Sequence, residues 1–389
     1  MAWSAGSGGV IQEMMAERDA SALGPLRVLD FSRVLAGPFA TMMLGDLGAD
    51  VTKIERPGIG DETRSWAPPY DDRGEATYFQ AVNRNKHSVA LDLGTESGRD
   101  HALALALDAD VVVENFRPGV MERLGLGYQQ LARANPQLVY CSVTGFGSGA
   151  GAELPGYDLL IQATGGLMSI TGAPDGEPQK VGVALVDVLA GLFATVGILA
   201  ALRHRDATGE GQLVEVDLLS ALLASLVNQG SGYTIAGVVP ERMGNAHPSI
   251  SPYELFGTRS GELVIAIGND RQFTALSETL GDPGLCEDPR FAHNEDRVGN
   301  RGQLRSELER RLLSRSAAEW AQLLTAVRVP AGVVNDLGGA FAFASSLGLE
   351  PTVEIAREDG GSVHLTRNPI RLSRTPPSYR TAPPTLPGA

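Results

Sequence analysis

The chain has 389 residues, longer than one ordinary domain, which predicts two domains that each bury a core. Its net charge of −14 and its pI near 4.9 argue against nucleic acid or an anionic membrane as a general partner. Hydrophobic residues make up 43% of the chain and charged residues 20%, as is typical of a soluble globular protein. Its two cysteines, Cys141 and Cys286, lie far apart and predict neither a disulfide framework nor a zinc site.

The N-terminal segment, residues 1–24, contains no cationic start followed by an apolar core. It is therefore not typical of a signal peptide, and we predict a flexible extension there. Together with the scarcity of cysteine, this favours a reduced, cytoplasmic location.

From Leu26 onward, predicted strands alternate with predicted helices. The apolar strand patterns are LRVLDF, ADVTKIE, HSVALDL, DVVVENF and QLVYCSVTGFG. This alternation predicts an α/β fold with a mostly parallel sheet, whose ligands bind outside the carboxyl ends of the strands. The segments that follow these strands are residues 32–37, Arg56, residues 115–117 and residues 144–147.

Positive charge is concentrated in one part of the first quarter of the chain. The basic residues of this part are Lys53, Arg56, Arg64, Arg84 and Lys86. A local basic patch on an acidic protein predicts an anionic small ligand.

A glycine loop, Gly145–Gly151, is similar to a dinucleotide-binding fingerprint. Such a fingerprint must open a helix, whereas Glu153, Pro155 and Gly156 prevent a helix from starting here. The sequence therefore does not predict nicotinamide or flavin binding.

An apolar run from Val188 to Leu202 begins directly after a single carboxylate, Asp187. The run has about 15 residues, fewer than the ~20 of a membrane span, and predicts a buried core helix. Asp187 would lie at its N-terminus, where free N–H groups and the helix dipole favour negative charge. The residue is then either an N-cap or a functional carboxylate.

The pattern changes after residues 226–250, which are rich in glycine and proline and are predicted to be a linker. SPYELFGTRSGELVIAIG then predicts two strands joined by a turn at Ser260–Gly261, with helices beyond. Residues 251–334 are therefore predicted to form a small α/β domain. The proline-dense end of the chain, from Arg371 onward, is predicted to be extended.

Several long motifs occur in the order found in one known family. They are RVLAGPFATMMLGDLGADVTKIERPGIGD, NRNKHSVALDL, VVVENFRPGVMERLGLGY, VYCSVTGFG, PGYDLLIQATGGLMSITG and VALVDVLAGLFATVGILAAL. Together they resemble the family III CoA-transferases of the CaiB/BaiF type. ERPGIGDETRSWAPPY and RMGNAHPSISPYELF are most similar to succinyl-CoA:glutarate CoA-transferases and related dicarboxylate enzymes.

This resemblance implies an architecture as well as a reaction class. It implies a Rossmann-like large domain of residues 25–225 and 335–389, and an interlocked homodimer. The family's C-terminal helix has no counterpart after the proline-rich end, so we expect this chain to be truncated or to end differently.

The resemblance assigns Asp187 the role of nucleophile. In this family, an aspartate at this position attacks the donor thioester, and CoA thiolate converts the resulting mixed anhydride into an aspartyl-CoA thioester. The acceptor carboxylate then attacks that thioester, and CoA is returned to it. We expect the Asp187 carboxylate to be ionised at neutral pH without an auxiliary base. The substrates are a CoA thioester and a carboxylic acid, and neither a permanently bound cofactor nor a metal is expected.

The resemblance also implies which residues bind CoA. They are Val34, Ala36, Arg56, Lys86, Asn115, Phe116 and Arg123. Ordinary alternatives exist, because Arg123 is also explained as a solvated helix charge and Phe116 as a core aromatic residue. The Ala36–Pro38 turn either presents N–H groups to an anion or is only a tight turn.

The racemases that act on α-methylacyl-CoA share this fold, and in them a histidine works with the helix aspartate. Tyr157 stands at that position here, within the expected substrate pocket, and a phenol that titrates at about 10 is a poor partner for proton transfer at carbon. We therefore predict a transferase, with a racemase and a non-catalytic CoA-binding protein as alternatives.

A dicarboxylate acceptor requires a cation for its distal carboxylate. The candidates are Arg33, Arg242 and His247, since an arginine binds a carboxylate through two hydrogen bonds. Arg242 and His247 are equally explained as ordinary linker residues. An apolar pocket would instead favour bile-acid, carnitine or aromatic acyl groups.

Overall fold

The computed structural model describes residues 21–388, so residues 1–20 of the predicted extension lie outside the described residues. The described chain forms two units. The first comprises residues 21–165, 181–236 and 350–388, and the second comprises residues 166–180 and 237–349.

This division differs from the predicted domain boundaries in three places. Residues 166–180 belong to the second unit, although the pattern placed them inside the large domain. The helix Leu337–Ser346 also belongs to the second unit. The predicted linker begins with a helix, Val227–Ala236, which belongs to the first unit. Long-range packing, which local composition does not encode, places these three segments.

The strands, in chain order, are β1 (Arg27–Asp30), β2 (Asp50–Glu55), β3 (Lys86–Ala90), β4 (Val111–Glu114), β5 (Val139–Thr144), β6 (Leu213–Asp217), β7 (Tyr253–Gly257), β8 (Glu262–Ala266), β9 (Ala331–Val333), β10 (Thr352–Ala356) and β11 (Ser362–Thr366).

The helices, in chain order, are α1 (Ala36–Asp46), α2 (Thr77–Gln80), α3 (Glu96–Asp108), α4 (Val120–Arg123), α5 (Tyr128–Ala134), α6 (Asp158–Thr164), α7 (Leu167–Ile170), α8 (Leu185–Thr208), α9 (Leu218–Ser225), α10 (Val227–Ala236), α11 (Asp270–Thr279), α12 (Asn294–Gly299), α13 (Arg301–Leu312), α14 (Ala317–Ala326) and α15 (Leu337–Ser346).

The first unit is built on a six-stranded sheet in the order β3-β2-β1-β4-β5-β6. Every neighbouring pair is parallel, with Val28 of β1 opposite Val51 on one side and Val111 on the other. This order is that of the Rossmann fold, whose strand order reverses between β1 and β4. The predicted α/β class and parallel sheet are confirmed.

The central strands are apolar because helices cover both faces of the sheet. Val111, Val112 and Val113 of β4 are fully buried. On one face, Leu29 and Val112 belong to a core cluster with Ala102 of α3 and residues of α5. On the other face, α8 packs against β5, β6 and α1.

Helix α8 is 24 residues long, which is longer than the apolar run predicted. The buried face of this helix is formed by residues that are at most 1% exposed, namely Ala190, Ala194, Ile198 and Ala201. Among residues 21–388 it is the one helix whose length and apolar composition match a membrane span, with a mean hydropathy of 2.3 and 44% of the apolar window buried. The buried face gives α8 the predicted role of a core helix in this unit.

The second unit contains a three-stranded antiparallel sheet in the order β7-β8-β9. Strands β7 and β8 form the predicted hairpin, whose turn contains Gly261 at a φ of 82°. Glycine adopts this left-handed conformation without steric strain. Phe256, Phe273 and Trp320 belong to one buried core cluster in this unit.

After the β10–β11 hairpin follows a segment, residues 367–388, without further strands or helices. The Arg380 guanidinium ties this segment to the end of α1 by donating to the carbonyls of Gly45, Gly48 and Ala49. The absence of regular secondary structure agrees with the proline content of this segment.

Candidate active site

A pocket of about 490 Å³ in the first unit lies where the strand order reverses, at the carboxyl ends of β1, β4 and β5. Ligands of open α/β sheets bind at this position. The pocket is lined by residues 33–36, Glu62, residues 115–118, 143–147, 151, 152 and 154–157, Asp187 and Leu218. Three of the four segments singled out from the sequence thus meet in one cavity.

Asp187 is in the first turn of α8, as predicted, and its side chain lines the pocket. Within the described residues, its carboxylate has no hydrogen-bond or ion-pair partner. Burial raises the pKa of this carboxyl group to about 7, with a further contribution from the negative charge of Asp158. We expected a fully ionised carboxylate at neutral pH, and this structure instead places the group near the midpoint of its titration.

The alternative role of Asp187 as an N-cap is filled by Asp158. The Oδ1 atom of Asp158 accepts the Val186 backbone N–H at 2.8 Å, and its Oδ2 atom accepts from Gln162 Nε2 at 2.6 Å. Asp187 itself makes no capping hydrogen bond, and the N-cap position of α8 is Ala184. Asp158 therefore satisfies the start of the helix and leaves Asp187 free.

The loop after β1 forms one wall of the pocket through Arg33, Val34, Leu35 and Ala36. Val34 has a φ of 65°, an outlier for a β-branched residue. Ala36 is the first residue of α1, so the Ala36–Pro38 segment opens a helix as well as forming a turn. Both predicted CoA-binding residues of this loop, Val34 and Ala36, line the pocket.

Two guanidinium groups line the pocket. Arg33 donates to Glu62 Oε1 at 3.3 Å and lies 4.7 Å from the centre of the Phe116 ring. Arg117 is exposed, and among residues 21–388 no carboxylate lies within ion-pair distance of it. The pocket therefore carries one arginine that is partly neutralised and one that is not.

Arg56 lines a second, smaller cavity of about 170 Å³ at the ends of β2 and β3. Its guanidinium lies 3.6 Å from Glu62 Oε1 and is 46% exposed, which leaves it able to meet an anion. Phe116 and Arg33 line both cavities. The predicted CoA residues Arg56 and Phe116 are thus close to the same edge of the sheet.

The predicted basic patch is largely buried and neutralised. Four of its five cations are paired with carboxylates that are almost fully buried: Lys53 with Asp61, Arg64 with Glu55, Arg84 with Asp46, and Lys86 with Asp30. Only Arg56 remains substantially exposed. The sequence pattern was misleading because a run of basic residues does not show which of them are buried and paired with carboxylates after folding.

Lys86 has a fully buried ammonium group that is already paired with a carboxylate, and its contact with CoA stays a prediction. It donates to Asp30 Oδ2 at 3.0 Å, to the Pro38 carbonyl at 2.9 Å and to Asn83 Oδ1 at 3.0 Å. Burial lowers the pKa of Lys86 to about 8 against the attraction of Asp30. Its observed role is to anchor the start of α1.

Asn115 and Arg123 also differ from the simple expectation of free CoA ligands. The Asn115 carboxamide accepts the Arg33 N–H at 2.9 Å and donates to the Arg33 carbonyl at 2.8 Å. Arg123 is exposed at the end of α4 and lines neither of the two cavities described above. Its contact with CoA stays a prediction.

Of the remaining predicted pocket residues, Tyr157 lines the cavity and is 62% exposed. Arg242 and His247 belong to the second unit. There Arg242 donates to the carbonyls of Ala173 and Gly176, and the His247 ring lies 5.2 Å from the Tyr253 ring. Their proposed contact with substrate stays a prediction.

Three residues of this region were not selected from the sequence, namely Glu62, Tyr78 and Asp158, and Arg117 was selected only as part of the segment 115–117. Tyr78 lies near the carboxylates, since burial and then the charges of Asp187 and Asp158 raise the pKa of its phenol. The sequence did offer a clue to Asp158, because this residue directly follows Tyr157 in the motif PGYDLLIQATGGLMSITG. No local pattern marks Tyr78, because packing alone brings it close.

Comparison with known proteins identifies the family of the chain. The profile of "CoA-transferase family III" matches residues 23–389. The chain therefore belongs to CoA-transferase family III, and it is a CoA-transferase.

Individual relatives make the likeness more specific. A succinate–glutarate CoA-transferase of Agrobacterium fabrum is 42% identical over 375 residues, which cover 94% of this chain and 92% of that protein. An acetyl-CoA:oxalate CoA-transferase of Acetobacter aceti is 40% identical, over 90% of this chain and 88% of the relative. The crystal structure of a CaiB/BaiF family protein from Brucella suis superposes with a TM-score of 0.84 at 42% identity, covering 94% of this chain and 96% of that one.

Proposed function

We propose that this enzyme transfers CoA from an acyl-CoA donor, succinyl-CoA, to a dicarboxylic acid acceptor. The acceptors named for the two relatives, glutarate and oxalate, are both dicarboxylates, although they differ in length. Shared chemistry with these relatives therefore supports the dicarboxylate class more firmly than one chain length. A CoA thioester is a substrate in this scheme and not a resident cofactor.

The observation that carries the proposal is the state of Asp187. Its carboxylate lines the pocket, has no hydrogen-bond partner among residues 21–388, and lies at the start of a long helix. A carboxylate with unused lone pairs is available for attack on a thioester carbonyl. Because burial raises its pKa to about 7, a substantial ionised fraction is present at neutral pH.

The reaction then proceeds in four balanced steps. Ionised Asp187 attacks the donor carbonyl and expels CoA thiolate, which leaves a mixed anhydride. The thiolate attacks the aspartyl carbonyl of the anhydride, releases the donor acid and forms an aspartyl-CoA thioester. The acceptor carboxylate attacks this thioester and again expels the thiolate. The thiolate attacks the acceptor's acyl carbonyl, which yields the new CoA thioester and restores the Asp187 carboxylate.

The negative charge that develops on the thioester oxygen needs nearby donors. The N–H groups at the start of α8 are partly used, since Val186 donates to Asp158 and Val188 donates to the Ala184 carbonyl. Ala36, the first residue of α1, lines the same pocket. We propose that the N-terminus of α1 stabilises this oxygen, because a first helical turn favours negative charge.

The distal carboxylate of the acceptor needs a cation. Arg33 lines the pocket but already contacts Glu62, whereas Arg117 lines it without an ion-pair partner among residues 21–388. We propose that both contribute and that Arg117 provides the stronger attraction. Contributions from Arg242 and His247 remain part of the proposal, although these residues lie in the second unit.

Intact-mass spectrometry after incubation with succinyl-CoA alone tests the covalent mechanism. Hydroxylamine should release the acyl or CoA group and leave a hydroxamate at Asp187 that peptide mapping locates. Asp187→Ala should form no adduct, while Asp206→Asn, which changes an exposed aspartate at the other end of α8, should form it normally. CoA exchange by Asp187→Ala at the wild-type rate contradicts the mechanism.

We also propose that the enzyme is a homodimer, with interlocked chains as the family resemblance implies. Within the first unit, α10 has no buried residue and exposes Val227 and Ile235 by 71% and 83%. Within the second unit, α15 likewise has no buried residue and exposes Leu337 by 80%. Apolar helices of this kind are typical of oligomer contacts. Sedimentation velocity at micromolar concentration should give a dimer, and a stable monomer contradicts the proposal.

The cellular setting rests on the sequence. The net charge of −14 supports a protein without general affinity for nucleic acid or anionic membranes. A cytoplasmic location stays a prediction, which fractionation of cells that express the full chain tests.

A further inference from the structure

The backbone of the first-strand loop is strained at the point where it enters the pocket. Val34 has a φ of 65°, a conformation that a β-branched side chain rarely adopts. Such a conformation persists only when surrounding contacts hold it, and it occurs most often at ligand sites. The contacts that hold Val34 are therefore informative about function.

Asp61 supplies one of these contacts. Its carboxylate oxygens accept the Val34 N–H at 3.2 and 3.3 Å. The same carboxylate accepts the Thr63 N–H at 2.9 Å and the Thr63 hydroxyl at 2.7 Å. Asp61 thus connects the strained residue to a short 3-10 helix that follows β2, Glu62–Ser65.

Lys53 supplies a second contact. Its ammonium lies 3.0 Å from Asp61 Oδ2 and donates to the Ser32 carbonyl at 2.8 Å. The two side chains are 0% and 1% exposed, so the pair is shielded from solvent and from salt. The ion pair therefore fixes the backbone on both sides of Arg33.

Asn115 completes the arrangement from the end of β4. It binds both the N–H and the carbonyl of Arg33, at 2.9 and 2.8 Å. Three consecutive residues, 32–34, are thus held through their backbone atoms by three side chains from other parts of the chain.

We propose that Lys53, Asp61 and Asn115 form a backbone clamp that holds Val34 in its left-handed conformation and so shapes the acyl-CoA site. The inference rests on the proposed function, in which residues 34–36 contact the CoA thioester. Asp61 and Lys53 are positioning residues, because they line neither of the two cavities at this edge of the sheet and act through the backbone of Val34 and Ser32.

The clamp matters because a loop that is not held can relax to a less strained conformation. Without Asp61, Val34 relieves its strain by returning to a negative φ, which rotates the adjoining peptides and moves the pocket wall. The clamp keeps the wall in place before substrate arrives, so that binding does not have to supply the ordering. Loss of the clamp should therefore weaken binding of the CoA thioester more than it slows the chemical steps.

The test uses Asp61→Asn in the full chain, with Val34→Gly as its suppressor. Asp61→Asn should raise the KM for succinyl-CoA about tenfold with a smaller change in kcat, since a strained residue of this kind stores enough energy for that effect. Glycine adopts positive φ without strain. The double variant should therefore bind more tightly than Asp61→Asn does, and this gain should exceed any change that Val34→Gly alone causes in the wild type.

A control separates positioning from general stability. Asp46 is another fully buried aspartate, paired with Arg84 at 2.6 Å, and it makes no contact with the loop. Asp46→Asn should lower the melting temperature, and adding Val34→Gly to it should not improve binding. If Asp61→Asn does not fold, Asn115→Ala leaves no buried charge and should show the same rescue by Val34→Gly.

Two readouts distinguish the clamp from the proposed reaction. Calorimetric titration with CoA measures the clamp even if succinyl-CoA and dicarboxylates prove to be the wrong substrates. An unchanged affinity in Asp61→Asn, or a loss that Val34→Gly does not reverse, overturns the clamp whether or not the wild type transfers CoA. Absence of transfer by the wild type overturns the proposed function alone.

Discussion

The Oδ1 atom of Asp158 accepts the backbone N–H of Val186 at 2.8 Å. Asp158 affects Asp187 in two ways. It caps the start of α8, which leaves the carboxylate of Asp187 free for chemistry. Its negative charge, added to the effect of burial, raises the pKa of Asp187 to about 7. The residue that frees the proposed nucleophile therefore also limits how much of it is ionised.

Asp158→Asn should make Asp187 more acidic. An asparagine oxygen still accepts the Val186 N–H, so the cap remains while the charge is removed. The acid limb of the pH profile of kcat/KM should move to lower pH, because that limb reports ionisation in the free enzyme. Asp206→Asn, which changes an exposed aspartate of the same helix, should leave the profile in place. An unchanged acid limb in Asp158→Asn means that Asp158 does not influence the ionisation of Asp187.

Asp187→Asn should stabilise the protein above neutral pH. The pKa of Asp187 is raised from an ordinary 3.8 to about 7, so between these values the folded state binds the proton that the unfolded state has lost. Stability therefore falls as pH rises through this window, by about 2 to 4 kcal/mol in total. Asparagine carries no charge and removes this loss.

Urea unfolding of wild type and Asp187→Asn on both sides of the window measures this effect. The variant should match the wild type near the acid end, provided both remain folded there, and exceed it at pH values above the window. A variant that is less stable at every pH indicates that the carboxylate is held by contacts that favour its charge.

Arg117→Gln should reduce selectivity for dicarboxylic acceptors. Hydrogen bonds to charged groups are worth about 1.5 to 3 kcal/mol, so the KM for glutarate should rise roughly 10- to 150-fold. The KM for valerate, which has the same number of carbons and one carboxylate, should change little. Arg133→Gln alters an exposed arginine of α5 outside the pocket and serves as the control. Equal increases in KM for glutarate and valerate would mean that Arg117 does not bind the distal carboxylate and acts in another step.

Gly145→Ala or Gly156→Ala should displace the loop that lines the pocket after β5. A Cβ atom at Gly145 would lie 2.6 Å from the Gly156 Cα, and one at Gly156 would lie 2.5 Å from the Gly145 Cα. Backbone atoms cannot yield as side chains do, so each change should cost about 1 to 3 kcal/mol of stability. The KM for acyl-CoA should rise as well, because residues 145–147 and 151 line the pocket.

Gly149→Ala is the matched control in the same loop. A Cβ atom there meets no heavy atom within 4 Å, and the variant should keep both its melting temperature and its KM. Similar losses in Gly149→Ala and Gly145→Ala contradict the steric explanation and point to a general need for loop flexibility.

Local sequence patterns determined the elements and their class. Short apolar runs alternating with helices predict the parallel sheet, because strands buried on both faces must be apolar along their whole length. The position of Asp187 in the first turn of α8 and the turn at Ser260–Gly261 also follow from neighbouring residues. These features depend on contacts within one segment, which the order of residues displays directly.

Tertiary structure alone decided the electrostatics of the site. The basic residues of the first quarter looked like a surface patch, yet Lys53 pairs with Asp61, and Lys86 is buried against Asp30, 56 positions away in the chain. Whether a charge is exposed or paired depends on segments that meet only after folding. For the same reason, the raised pKa of Asp187 and the strained conformation of Val34 emerge only when burial and distant partners act on residues that look ordinary in the sequence.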